Sequence, residues 1–163
     1  MVNFQEVQLW AACEETRFAL AYSNCSGSTG AALTRRQFGL HARLSFGEFP
    51  FWYSHFFFDR FMQGIELPID QHELIALIAP RGVYVSSADR DLAADPRGEY
   101  TSLVEAAPVF RLLQKECVKE REMPPLDRPR IKGVTGYHIR TGKHNLVHSD
   151  WKWFLDFADT FFK

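Results

Sequence analysis

Asp70-Gln71-His72-Glu73-Leu74-Ile75-Ala76-Leu77-Ile78-Ala79-Pro80-Arg81-Gly82-Val83-Tyr84-Val85-Ser86-Ser87 is the stretch that decides the fold class. Its first four residues have the D-x-x-E form of a capping box. The Asp70 carboxylate can accept from amides of the first helical turn while Glu73 reaches back to the amide of Asp70. Leu74–Ile78 continues that helix until Pro80, which lacks an N–H and crowds the preceding turn. Gly82–Ser87 then reads as an apolar strand, and Ala88–Asp95 as a polar loop at its carboxyl end. A helix running straight into a strand, repeated along the chain, suggests a parallel sheet in an α/β layer architecture.

The same alternation extends both ways. Residues 5–14 suit a short helix, and Arg17–Ser23 a nearly all-apolar strand followed by a Ser/Gly-rich turn, Asn24–Gly30. The aromatic block Phe46–Phe61 has no clean period and is expected to mix short helices with loops. Gly98–Cys117 predicts a helix with Tyr100, Val104, Ala107 and Phe110 on one side, kinked by Pro108. Residues 119–130, charged and proline-rich, read as a surface connection. Thr135–Ile139 is the third strand, and Arg140–His148 a loop. Ser149 is expected to cap a last helix whose buried stripe is Trp151, Leu155, Ala158 and Phe162. The reading is one domain over residues 1–163: a mostly parallel sheet of about three strands flanked by helices.

Composition narrows the function classes. The 163 residues include fifteen Phe and four Trp, and the net charge is −1 with both signs interspersed. No basic patch points to nucleic acid or an anionic membrane surface, and no apolar run is long enough to span a bilayer. Cys13, Cys25 and Cys117 have no CxxC spacing, and their odd number defines no disulfide framework. There is no signal-peptide pattern at the start, which leaves localisation open.

Active sites of open α/β sheets lie at the carboxyl ends of the strands. Two such loops carry acid–base groups: Ala88–Asp95 after the second strand, with Asp89, Asp91 and Asp95, and Thr141–Asn145 after the third, with His144. Acid followed by histidine at two late strand ends is the order an α/β-hydrolase triad requires after its serine. The histidine takes the serine proton, and the carboxylate fixes its tautomer. By themselves these features also fit a solvated loop and an ordinary loop histidine. His72 and His55 read as structural, and His41, His138 and His148 follow no metal-ligand spacing.

Several segments together resemble the bacterial branch of the glucuronoyl (4-O-methyl-glucuronoyl methyl) esterase family. They are Arg17–Leu20 with Ser23–Gly27, Gly30–Gly39, Phe49–Trp52, Leu67–His72 running into Ala76–Arg81, Asp91–Glu99, and Gly136–Arg140 with Gly142–His144. The resemblance implies the carboxyl-terminal part of an α/β-hydrolase that cleaves uronic-acid esters of plant polysaccharide. It also implies a metal-independent serine mechanism with no cofactor. Asp91 matches the triad acid and His144 the triad histidine. Members of the family are typically secreted or periplasmic.

Departures accompany the matches. Aligning the first helix places Val2 where the nucleophilic serine belongs, Asn3 at an arginine and Glu6 at a lysine. Ala93 stands where bacterial members carry a tryptophan, and Leu40 where a sugar-contacting glutamate is expected. The reading that follows is an ester-hydrolase part that is inactive alone. The alternative is a non-catalytic carbohydrate-binding or scaffold descendant that keeps an aromatic-walled groove. An apolar strand at Arg17–Ser23 lacking its own neighbour further predicts a homodimer or a partner chain that pairs with it.

Overall fold

The computed structural model describes residues 4–55, 59 and 68–162. Val2 and Asn3, most of the distal half of the aromatic block, and the side chain of Glu6 lie outside the described residues. Helix α1 (Phe4–Glu14) precedes strand β1 (Leu20–Asn24). After a long excursion containing α2 (Ala42–Glu48) and a 3₁₀ turn at Pro50–Trp52, helix α3 (Gln71–Ile78) leads into β2 (Gly82–Ala88). Helices α4 (Pro96–Glu105) and α5 (Ala107–Leu112) follow, then β3 (Arg130–Lys132), β4 (Thr135–Arg140) and α6 (His148–Phe162).

The four strands form one sheet in the order β1-β2-β4-β3. β1 pairs with β2 and β2 with β4 in parallel, so Asn24, Ser86 and His138 stand side by side, while β3 runs antiparallel to β4. One edge of β1 has no strand partner among the described residues, and the association expected of this strand concerns that edge.

Period-two alternation explains why the strands read as continuously apolar. Ala21, Val83, Val85, Tyr137 and Ile139 face one layer, where they meet Leu9 of α1, Leu74, Ile75 and Ile78 of α3, Tyr100 and Leu103 of α4 and Phe110 of α5. Tyr22 and Tyr84 face the other layer and pack on Phe157, with Trp153, Phe154 and Phe161 of α6 around them. β1, β2 and β4 are thus buried on both faces, whereas the edge strand β3 is not.

Local predictions fare well where the signal is covalent or short-range. The capping box at Asp70 is complete: Asp70 accepts from the Glu73 turn, and the Glu73 carboxylate accepts from the Asp70 amide at 2.9 Å. The Asp70 carboxylate also accepts from the amides of Thr34 (2.7 Å) and Arg35 (3.3 Å), tying the 3₁₀ turn at Thr34–Arg36 to α3.

Several expectations are corrected. The first strand begins at Leu20, three residues later than expected; Phe18 is exposed, and no Gly or Pro marks a break between it and the strand. The expected Gly98–Cys117 helix is two helices. Pro96 starts the first and Pro108 lies in the first turn of the second, a position where a missing N–H costs nothing. Only Arg130 of β3 falls within the expected 119–130 connection, and the strand's pairing partner β4 lies beyond the turn at Gly133.

The last helix starts at His148, so Ser149 lies inside it. Its buried stripe is also rotated. Trp151 (46% exposed), Leu155 (54%) and Phe162 (70%) point outward, while Asp150, Phe157 and Ala158 are buried. Apolar residues occupy a side of this helix broader than the core can cover, opposite a polar face of Lys152, Asp156 and Asp159, so hydrophobicity alone does not decide which of them turn inward. The rotation is set by Asp150, which is fully buried against β4.

Arg81 performs a capping task that no local pattern announces. Its guanidinium donates to the carbonyls of Ala12 (2.7 Å), Glu15 (3.1 Å) and Phe18 (3.0 Å) and so satisfies carbonyls at and beyond the end of α1.

Candidate functional site

The carboxyl ends of β1, β2 and β4 converge on a cavity of about 230 Å³. Cys25, immediately after β1, is held by its amide donating to the Ser86 carbonyl at 2.8 Å and has a left-handed φ of 47°. Asp91 follows β2 and is only 5% exposed, and His144 follows β4 with its side chain half exposed. His144 Nδ1 lies 2.6 Å from Asp91 Oδ2. The structure therefore brings together the two loop residues singled out from the sequence, although 53 positions separate them. Hydrogen bonding to the Asp91 carboxylate raises the His144 pKa, against the opposing effect of partial burial.

The geometry is fixed from behind. Arg140, the last residue of β4, donates to the carbonyls of Lys143 (3.0 Å) and Asn145 (2.6 Å), which bracket His144. Asn24 Nδ2 donates to the same Asn145 carbonyl at 3.0 Å. The Gly142 amide donates to Asp89 Oδ1 at 2.7 Å, joining the two site loops, and the φ of 138° at Gly142 is one that L side chains rarely adopt. Asp127 clamps Thr141 through its amide and hydroxyl at 2.9 and 2.7 Å. Of the three aspartates in the Ala88–Asp95 loop, only Asp91 meets the histidine. Asp89 orders the His144 loop, and Asp95 caps α4 and pairs with Arg36 at 2.6 Å.

Two buried assemblies beneath the site were not foreseen. In the first, Asp150 accepts from Arg140 Nε at 3.0 and 2.9 Å and bonds His138 Nε2 at 2.8 Å, while His138 Nδ1 bonds the Tyr84 hydroxyl at 2.9 Å. Burial keeps His138 below its ordinary pKa despite its carboxylate partner. For Asp150, burial works to raise the pKa, but His138, the Val147 amide and Arg140 together hold it below the usual carboxylate range. The chemically consistent state is a neutral histidine with an ionised Asp150–Arg140 pair. In the second assembly, fully buried Glu99 of α4 accepts from Ser87 Oγ (2.5 Å), the Gly27 amide (3.1 Å) and Ser26 Oγ (3.4 Å). Burial pushes this carboxyl up to about 8, so it holds a proton at neutral pH. The only sequence signal for these residues was a charged group amid an otherwise apolar pattern.

The cavity wall includes Leu40, Trp52 and Ala93, with the Leu40 amide donating to the Ala93 carbonyl at 2.8 Å. The two positions marked as departures, Leu40 and Ala93, thus share one side of the same cavity. Among the described residues of the aromatic block, Trp52 is the one that reaches it. Among the described residues, no hydroxyl hydrogen-bonds the second ring nitrogen of His144. The side chains that could present ligand atoms to a metal here are Cys25, Asp91 and His144, whose donor atoms lie within 4.8 Å of one another.

A mostly parallel sheet with a carboxylate and an imidazole hydrogen-bonded across adjacent strand ends is the architecture of an α/β-hydrolase. The family model described as glucuronyl esterase of fungi matches residues 6–114, and the chain belongs to the glucuronyl esterase family. A carbohydrate esterase of an unknown prokaryotic organism is 43% identical over 154 residues, which cover 94% of this chain and 35% of that protein. Among solved structures, a promiscuous CE15 esterase from the marine bacterial metagenome superposes with a TM-score of 0.89 at 42% identity, covering 95% of this chain and 39% of its own. A glucuronoyl esterase from Solibacter usitatus gives 0.88 at 37% identity, with the same coverages of 95% and 39%. The chain thus spans about a third of the length of the curated relative it matches.

Proposed function

We propose that this chain carries the acid–base half of a serine carboxylic-ester hydrolase directed at uronic-acid esters of plant polysaccharide, and that the 163-residue polypeptide by itself is inactive. The observation that carries the reading is the 2.6 Å contact between Asp91 and His144 at the ends of adjacent parallel strands. In that role Asp91 holds the Nδ1 proton of His144, which leaves Nε2 to take a proton from an attacking hydroxyl and return it to the departing alcohol. Asp91 also stabilises the imidazolium formed between those steps, in line with the raised pKa of His144.

Inactivity rests on Val2 at the position that aligns with the nucleophile, since a valine side chain cannot attack a carbonyl. Loss of a triad member costs on the order of 10⁴ to 10⁶ in rate. Leu40 and Ala93, side by side on the cavity wall, replace polar and aromatic sugar contacts with small or apolar surface, which favours a weakened uronate pocket over a dedicated binding module. Purified protein is therefore expected to leave benzyl glucuronate at the uncatalysed rate and to show no saturable heat with glucuronic acid. Turnover abolished by His144→Ala would overturn the inactive reading. Saturable binding without turnover would favour a carbohydrate-binding role.

A further inference from the structure

Cys25, Asp91 and His144 come from three different strand ends, and their donor atoms lie within 4.8 Å of one another. A sulfur, a carboxylate oxygen and an imidazole nitrogen form a borderline-soft donor set. Such a set suits zinc and its neighbours, whereas magnesium and calcium require oxygen cages. Bonds of about 2.0 Å to nitrogen or oxygen and about 2.3 Å to sulfur put tetrahedral ligand atoms roughly 3.3–3.5 Å apart. The widest separation, at most 4.8 Å, therefore has to close by about an ångström, while the 2.6 Å contact between His144 Nδ1 and Asp91 has to open.

The group able to supply that movement is His144. Its side chain is half exposed on a loop that contains Gly142, whereas Cys25 and Asp91 are buried. The backbone of Cys25 sits in the left-handed region at φ 47°, a conformation that costs energy for a residue other than glycine. The charges also balance: a divalent ion with one thiolate and one carboxylate is neutral overall, which limits the penalty of burying it.

We propose that Cys25, Asp91 and His144 bind one zinc-class divalent transition-metal ion, with water in a fourth position opening to the cavity. The thiol proton of Cys25 leaves to solvent as the Zn–S bond forms. A bound ion takes His144 out of acid–base use, so the site acts as a metal-sensitive block on any hydrolytic chemistry. The inference concerns binding alone and does not depend on the chain being an esterase part.

The test uses tag-free protein titrated with Co²⁺ as an optical probe and then with Zn²⁺ by calorimetry. One equivalent of Co²⁺ should bind with a sulfur-to-cobalt charge-transfer band that Zn²⁺ displaces. The band should persist in Cys13→Ala and Cys117→Ala and vanish in Cys25→Ala. His144→Ala, altering an exposed side chain, should fold normally and bind Zn²⁺ at least tenfold more weakly, which keeps the test decisive if Cys25→Ala misfolds. No band in the wild type, a band surviving in folded Cys25→Ala, or unchanged Zn²⁺ affinity in His144→Ala would overturn the proposal.

Discussion

Replacing Glu99 by glutamine should flatten the pH dependence of stability without changing the fold. Glu99 is fully buried, and its carboxyl is pushed from 4.5 up to about 8 chiefly by burial, against the hydrogen bonds from Ser87 and Gly27 that favour its charged form. The folded protein therefore binds a proton at this site that the unfolded chain releases above about pH 4.5. The stabilisation tied to that proton is complete below the unfolded pKa and is lost as pH rises through the folded one. Each unit of pKa difference corresponds to about 1.4 kcal/mol, so the whole window is worth about 5 kcal/mol, of which about 3 kcal/mol falls between pH 5.5 and 8. Glutamine keeps the shape and one carbonyl acceptor for the Gly27 amide but cannot ionise. Urea unfolding of wild type and Glu99→Gln at several pH values isolates the contribution, because titrations elsewhere in the molecule cancel in the difference. The variant should gain about 3 kcal/mol relative to wild type between pH 5.5 and 8. Parallel stability profiles would refute the reasoning and would mean that Glu99 is ionised in the folded state.

Two further outcomes follow from the site. Observed by NMR, His144 should titrate above the ordinary histidine value in wild type and fall back in Asp91→Asn. The matching stability is present below about pH 6.5 and lost as pH passes the folded pKa, and with His144 half exposed it should not exceed about 1 kcal/mol. Asp150→Ala should cost about 3–5 kcal/mol in urea unfolding, because it leaves the Arg140 guanidinium buried without its carboxylate. A cost below about 1 kcal/mol would show that water replaces the lost carboxylate.

Much of the site was legible because its informative features are local. A strand followed by a polar loop with Asp91, and a later strand followed by a loop with His144, need only short windows of sequence and the rule that such loops gather at one end of a parallel sheet. The pairing itself needed the strand order: β2 and β4 are direct neighbours, so their loops emerge together. Cys25 was visible only as a cysteine of no particular spacing. Its nearness to the pair depends on β1 lying beside β2, and no interval along the chain encodes that.

The amino-acid sequence by itself determined where helices and strands alternate, the capping box at Asp70 and the strand-end positions of Asp91 and His144. Each of these follows from propensities and hydrogen bonds within a few residues. The tertiary structure alone decided the rotation of α6, the capping of α1 by Arg81, the protonated Glu99 beneath the cavity and the Arg140 scaffold that presents His144. These rest on burying a polar group against partners tens of residues away: Asp150 meets β4, Arg81 meets α1, and Glu99 meets the turn after β1. The energy of such a contact depends on what surrounds it once the layers close, a property that no local window of sequence contains.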